Sequence, residues 1–412
     1  LYGSNSINVV KENPYRLCDT IKGIGFKTAD GIARAMGFSQ ESLERRNSAI
    51  RFVLNEHHND GHTCLPQEML ISATAELLSC SLAEINEAMD YLTNNGFLLI
   101  EPIQGESMVY TPSFLKAEES VALRMLNLLE QHRGECEIFE SEQRKIESEI
   151  GVKLSEKQIE AVRTSVCNGV SVITGGPGTG KTTVTKAIID FFEDSGFKVG
   201  LAAPTGRAAK RLSEATGREA VTIHRLLEYS VGGDETIGNG FARDEENPIE
   251  FNVLIVDEVS MVDILLMNSL LKAVPPRCRL ILVGDVDQLS SVGPGSVLKD
   301  VIDSGMIPVS VLKEIFRQSE SSRIVLNAHR VNNGEKIDLE NNEASHFFFM
   351  KRTQQEAALD TVPSLCSARL VGFKGLKRED IQVIAPGKKG ICGVKNLNIE
   401  LQKCLNPPRK DK

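Results

Sequence analysis

The residues Gly175-Gly176-Pro177-Gly178-Thr179-Gly180-Lys181-Thr182 fill the pattern G-x-x-x-x-G-K-[ST] at every fixed position, and Thr183 follows directly. Glycines at this density let consecutive backbone N–H groups converge on phosphate oxygens. Lys181 then reaches the β- and γ-phosphates, and the Thr182 hydroxyl can ligate magnesium. Further along, Asp257-Glu258 ends the apolar run Val253-Leu254-Ile255-Val256. Asp257 is placed to hold Mg2+, partly through water, and Glu258 to polarise an attacking water as general base. Gln288, in Gly284-Asp285-Val286-Asp287-Gln288-Leu289, offers a neutral amide that can bond phosphate or water in one nucleotide state and release it in the other. Arg317, in Leu312-Lys313-Glu314-Ile315-Phe316-Arg317-Gln318, is a candidate cation for transition-state charge. Such an arginine is worth roughly 10³ to 10⁵ in rate in well-studied cases. Upstream of the loop, Gln158 can present its amide as donor and acceptor to an adenine edge. The chemistry implied is hydrolysis of ATP with Mg2+.

The elements that must position these groups are legible from composition. Val170 to Thr174 is short, β-branched and apolar like a buried strand, and Val184 to Phe192 reads as a helix. A helix starts near Leu154, and Val253–Val256 and Arg279–Val283 are further buried strands. Strands alternating with helices predict an α/β fold with a parallel sheet. After Gly200–Ala203 the chain breaks at Pro204-Thr205-Gly206 into the basic helix that carries Arg207. Ligands of open α/β sheets bind at strand ends. Pro204, Thr205 and Arg207, with His224 in Thr222-Ile223-His224-Arg225, are therefore candidates for nucleic-acid phosphates.

Ahead of this core, Ile21-Lys22-Gly23-Ile24-Gly25-Phe26-Lys27 places two glycines around one apolar residue between helical patterns. A tight turn of this kind can offer the backbone of Gly23 and Gly25 to a DNA phosphate, with charge from Lys27, or it can simply pack two helices. Helical patterns at Ser48–His57, Gln67–Leu78 and Leu82–Asn94, then a hairpin at 96–101 and 107–111, predict a winged-helix-like unit. It serves either DNA or protein contacts. His57, His58 and His62 lack further ligands at metal-site spacing and read as surface histidines. A connecting helix is expected over Glu118–Arg133.

Net charge is −9 and the pI is near 5.5, so a nucleic-acid contact must be a local groove. The nine cysteines show no C-x-x-C pair or His/Cys ligand spacing, as expected of reduced thiols in the cytoplasm. No apolar run approaches the ~18 residues of a membrane helix. Leu1-Tyr2-Gly3-Ser4 carries neither an initiator Met nor a signal-peptide layout and reads as an internal start.

In order, Gln158, GGPGTGKTT, APTGRAAKRL, TIHRLL, LIVDEVSMVD, LVGDVDQLSSVGPG and LKEIFRQ resemble motifs Q, I, Ia, Ib, II, III and IV of superfamily 1 DNA helicases. The RecD-like branch is the nearest match, in its stand-alone form with a helix-hairpin-helix front end. The resemblance implies a RecA-like P-loop NTPase domain over 150–345. Before it come a helix-hairpin-helix region (1–46), a winged-helix-like domain (47–116) and a helical linker (117–149); after it begins a second RecA-like domain (346–412). It further implies ATP-driven movement on single-stranded DNA and at duplex junctions, 5'-to-3', in repair or recombination, by a monomer. Residues 346–412 are expected to hold a helix near Gln354–Arg369, a strand at Asp380–Ala385 and a helix at Asn396–Leu405. The motif VI arginine is not found before Lys412. The chain by itself is therefore expected to bind Mg–ATP, hydrolyse it poorly and not unwind DNA. The alternative is a P-loop ATP switch or scaffold that binds DNA or a partner. Residues 228–250 fall where this family inserts a strand-separating hairpin, and a solvated loop fits the composition equally. Deleting 232–246 decides between them: a pin predicts loss of forked-duplex separation with ATP turnover intact, and a loop predicts no change.

Overall fold

A computed structural model describes residues 6–21, 24–132, 153–230, 240–314, 322–342 and 346–407. Gly23 and Arg317 lie outside the described residues. Two compact units divide the chain at Leu1–Ser321 and Ser322–Lys412, earlier than the expected boundary at 345/346.

The centre of the first unit is a six-stranded sheet. Its strands are β4 (Val170–Gly175), β5 (Val199–Ala203), β6 (Ala220–Thr222), β7 (Val253–Val256), β8 (Arg279–Gly284) and β9 (Val309–Leu312). Their order is β6-β5-β7-β8-β4-β9, and every pairing is parallel. Strand side chains alternate between faces, so the apolar runs split into two cores. Val172, Leu254, Val256, Leu280 and Leu282 pack on one face with Met267 and Leu270 of the helix Ile264–Ala273. Ile173, Val253, Ile255, Ile281 and Val283 pack on the other with Val162 and Ile188, from the helices Glu156–Cys167 and Lys181–Asp194. Both faces being covered is why these strands read as continuous apolar runs and not as alternating ones.

The expected connecting helix runs over Pro112–Gln131, and it is part of the core of the six-stranded sheet. Phe114, Ala117, Val121, Met125 and Leu128 share the first core with the sheet. A Cβ at Gly169 would lie 1.8 Å from the Leu128 carbonyl oxygen, so glycine is required where β4 begins beneath this helix.

In front of it, β2 (Leu99–Ile103) and β3 (Glu106–Tyr110) form the expected hairpin. Gln104 and Gly105 both take positive φ, as a two-residue hairpin turn demands. A third strand, β1 (Cys64–Pro66), completes an antiparallel sheet of order β1-β3-β2 with the helices Leu43–Asn59, Gln67–Leu78 and Leu82–Asn94. Three residues were too few to read as a strand without the partner that pairs them.

The most N-terminal helices are held by Asp30. Its carboxylate accepts from the Tyr15 hydroxyl at 2.9 Å, from Arg45 Nε at 2.8 Å and from Arg34 Nη2 at 2.8 Å. Arg45 also donates to the Gln40 carbonyl at 3.0 Å. Burial would raise the Asp30 carboxyl, but Arg45, Tyr15 and Arg34 outweigh it and hold it below the ordinary value.

In the second unit, Arg323–Asn332, Gln355–Ser364 and Val394–Leu405 are helical, and the turn Leu365–Arg369 extends the second of these. The strand expected at Asp380–Ala385 is absent. Arg378–Asp380 is a 3-10 turn, residues 381–385 are irregular, and Ile384 is 86% exposed. A strand exists only through a neighbour that takes its hydrogen bonds, and no described residue of this unit supplies one.

Asp30→Ala leaves the Arg45 guanidinium buried without its partner and is expected to cost about 3–5 kcal/mol in denaturant unfolding. Because the folded carboxyl is depressed, its contribution is fully present above its unfolded pKa and is lost as pH falls through the lower folded value. Asp30→Asn should flatten that acid limb.

Candidate active site

The phosphate loop is shaped by its glycines before any ligand is considered. Gly178 and Gly180 take φ of 78° and 84°, the left-handed region where a side chain is strained. Gly175 answers a different demand: a Cβ there would stand 2.4 Å from the Leu312 carbonyl oxygen and 2.8 Å from Thr179 Oγ1. Thr179 in turn donates to the Gly176 carbonyl at 2.9 Å, which folds the loop back on itself. Pro177 and Gly178 are exposed at its tip. From Lys181 the helix Lys181–Asp194 begins, and its first N–H groups face the loop. Lys181 Nζ donates to the carbonyls of Gly175 and Gly176.

Across from the loop, β7 delivers the carboxylates. The Asp257 amide donates to the Ala202 carbonyl of β5 at 2.9 Å, and the Glu258 amide donates to Asp257 Oδ1 at 2.9 Å. Glu258 sits at φ 53°, ψ 41°, a left-handed conformation that costs a non-glycine residue about 1–3 kcal/mol. The chain spends that strain turning the Glu258 side chain at the strand end. Burial raises both carboxyls above their ordinary values. The nearby Asp257 raises Glu258 further, and Lys181 and Arg211 oppose the rise in both.

A cavity of about 450 Å³ joins these groups. Lys181, Thr182, Asp257 and Glu258 line it, together with Arg211 and Glu214 of the helix Gly206–Thr216. Four of the expected residues thus meet in one place. Gln158 does not line this cavity. It is buried, and its Oε1 accepts from the Ser155 amide at 3.0 Å in a capping box that starts its helix. The oxygen expected at an adenine edge is committed to that cap. Gln288 is exposed, with its backbone N–H donating to the Asp285 carbonyl at 3.2 Å, and it too lies off the cavity. Thr183 is half-buried on the helix behind Thr182.

The candidate DNA contacts occupy separate positions. Pro204 and Thr205 follow β5 directly, and the Thr205 hydroxyl accepts from the Ala208 amide at 3.2 Å, capping the helix that presents the exposed Arg207. His224 is exposed beside Tyr229 and Phe241, at ring separations of 5.7 and 5.8 Å. Tyr229 pairs with Phe241 in an antiparallel bridge, and residues 231–239 between them lie outside the described residues. Gly25 caps the helix Phe26–Ala35, on which Lys27 is exposed. Arg211 was missed as a site residue. The available signal was its spacing of four from Arg207, which puts both on one helix face.

Two family models match: an AAA domain over residues 158–294 and the ATP-dependent RecD2 DNA helicase HHH domain over residues 1–64. The ATP-dependent RecD2 DNA helicase of Deinococcus radiodurans is 31% identical over 98% of this chain and 55% of its own length. The chain belongs to the RecD-like superfamily 1 helicase family. RecBCD enzyme subunit RecD of Mycobacterium tuberculosis is 40% identical over 40% of this RecD-like chain and 32% of its own. The ATP-dependent DNA helicase dda of Enterobacteria phage T4 is 44% identical over 30% of the chain and 28% of its own. The chain spans about half the length of the Deinococcus relative. Among the described residues no helix is long and apolar enough to cross a membrane.

Because the Gly175 backbone and β9 are in contact, Gly175→Ala is expected to destabilise the first unit by about 1–3 kcal/mol, as overpacking does, and to weaken Mg–nucleotide binding. Thermal melts and titration with a fluorescent ATP analogue check both.

Proposed function

We propose that the protein is an ATP-dependent DNA helicase or translocase that couples ATP hydrolysis to movement along single-stranded DNA and to opening of duplex junctions. The observation that carries this reading is the meeting of Lys181, Thr182, Asp257 and Glu258 around one cavity, in a chain related over nearly its whole length to a DNA helicase. In this reading Lys181 leaves the loop carbonyls for the β- and γ-phosphates, and the loop amides and the helix N-terminus hold the remaining phosphate charge.

A magnesium ion fits the donor set. Thr182 offers a hydroxyl and Asp257 a half-buried carboxylate whose pKa is raised by that burial. A magnesium ion takes one or two protein oxygens and completes its shell with phosphates and water. Bound there, it would neutralise charge on the transferring phosphoryl group. Glu258 orients the attacking water and takes its proton. Gln288 and Arg317 are assigned to the γ-phosphate, and Gln158 to the nucleotide base through its remaining amide nitrogen. Pro204, Thr205, Arg207 and His224 are assigned to the DNA backbone, with Gly23, Gly25 and Lys27 as a second contact. A monomer acting in the cytoplasm, in repair or recombination, completes the proposal.

Mg-dependent binding of a fluorescent ATP analogue to the chain is expected, and Lys181→Ala should weaken it tenfold or more. Glu258→Gln should keep binding and lower DNA-stimulated turnover by about 10² to 10⁴. Unchanged nucleotide affinity in the Lys181 variant would sink the reading, and binding with no DNA effect on turnover would favour a switch.

A further inference from the structure

The helix Gly206–Thr216 has different neighbours at its start and along its length. Its start is the strand end that holds Pro204 and Thr205. Along its length Ala208, Arg211, Leu212, Glu214 and Ala215 line the cavity that contains Lys181, Thr182, Asp257 and Glu258. Arg207 and Arg211 are one turn apart on the same face, about 6 Å along the axis. A single rigid turn therefore separates the candidate DNA contact from the candidate hydrolysis site.

Arg211 is exposed at the mouth of that cavity, and its charge acts on Asp257 and on Glu258 together with that of Lys181. Without nucleotide, two cations, Lys181 and Arg211, share the cavity lining with three carboxylates, Asp257, Glu258 and Glu214. A metal-bound triphosphate adds net negative charge to this set. A guanidinium presents planar, paired donors that match phosphate oxygens better than carboxylates held at a distance. The side chain therefore interacts differently with the empty and the filled cavity, which is the requirement for a ligand to shift an equilibrium.

We infer that Arg211 is a positioning residue that couples occupancy of the nucleotide cavity to DNA binding, by drawing on the helix whose first turn carries Thr205 and Arg207. The inference rests on the proposed reading of the cavity as a Mg–ATP site and of the helix start as a DNA contact. Linkage makes the effect reciprocal, so it can be read in either direction and without hydrolysis.

The test is an equilibrium measurement on the whole chain. Affinity for a fluorescent oligothymidylate is titrated with and without Mg2+ and a non-hydrolysable ATP analogue, saturating for each variant by its own binding curve. For the unaltered chain the two DNA dissociation constants should differ by about fivefold or more, within the usual range of allosteric coupling. Arg211→Ala should bring the ratio to about one, while nucleotide-free DNA affinity stays within about threefold. Arg211→Lys, which keeps charge but not the planar fork, should fall between, and Arg211→Gln guards against an effect of helix loss. An Arg211→Ala ratio equal to that of the unaltered chain overturns the inference, as does an unaltered chain that binds both ligands without coupling. An unaltered chain that binds no nucleotide, or no DNA, defeats the underlying reading instead.

Discussion

The constraint on which the phosphate loop depends is backbone against backbone. Gly175, the last residue of β4, lies so close to the Leu312 carbonyl of β9 that no side chain fits between them. β4 is also hydrogen-bonded to β8 on its other edge, so the start of the phosphate loop is clamped on both sides. The loop can then fold over Thr179 and lead straight into the helix that opens with Lys181. A phosphate site needs several N–H groups aimed at one point. That aim comes from a strand end that cannot drift.

The same logic extends to the opposite wall. β7 lies between β5 and β8, and the Asp257 amide is held by the Ala202 carbonyl after the strand pairing ends. Two carboxylates are thereby brought into partly buried surroundings where they hold protons more tightly than in water, and a cation is the partner that would relieve them. Strain at Glu258 belongs to the same arrangement. The N-terminal region is joined to this core by packing: the helix Pro112–Gln131 shares the sheet's apolar face, and the Gly295 amide donates to the Gly61 carbonyl at 3.0 Å.

Much of the fold was legible because its signals are local. Buried parallel strands are apolar along their whole length, and β4, β7 and β8 carried that mark. The glycine loop before Lys181 and the break at Pro204-Thr205-Gly206 marked the starts of two helices. What was not legible depended on partners far away in sequence. β1 is three residues long and exists because β3 pairs with it. Asp380–Ala385 has a strand's composition without a strand neighbour among the described residues of its unit and is not a strand. The amide of Gln158 is equally suited to an adenine and to a cap, and Ser155 three residues earlier takes its oxygen.

For the site, the sequence alone picked out the candidate groups: a loop of glycines with Lys181 and Thr182, and an apolar strand ending in Asp257 and Glu258. Residue type and spacing suffice there because the loop's function is made by its own backbone. Tertiary structure alone decided which residues share the cavity. It brought in Arg211 and left Gln158 and Gln288 outside, because a side chain's company is set by where helices and strands lie on the sheet and not by its neighbours in the chain.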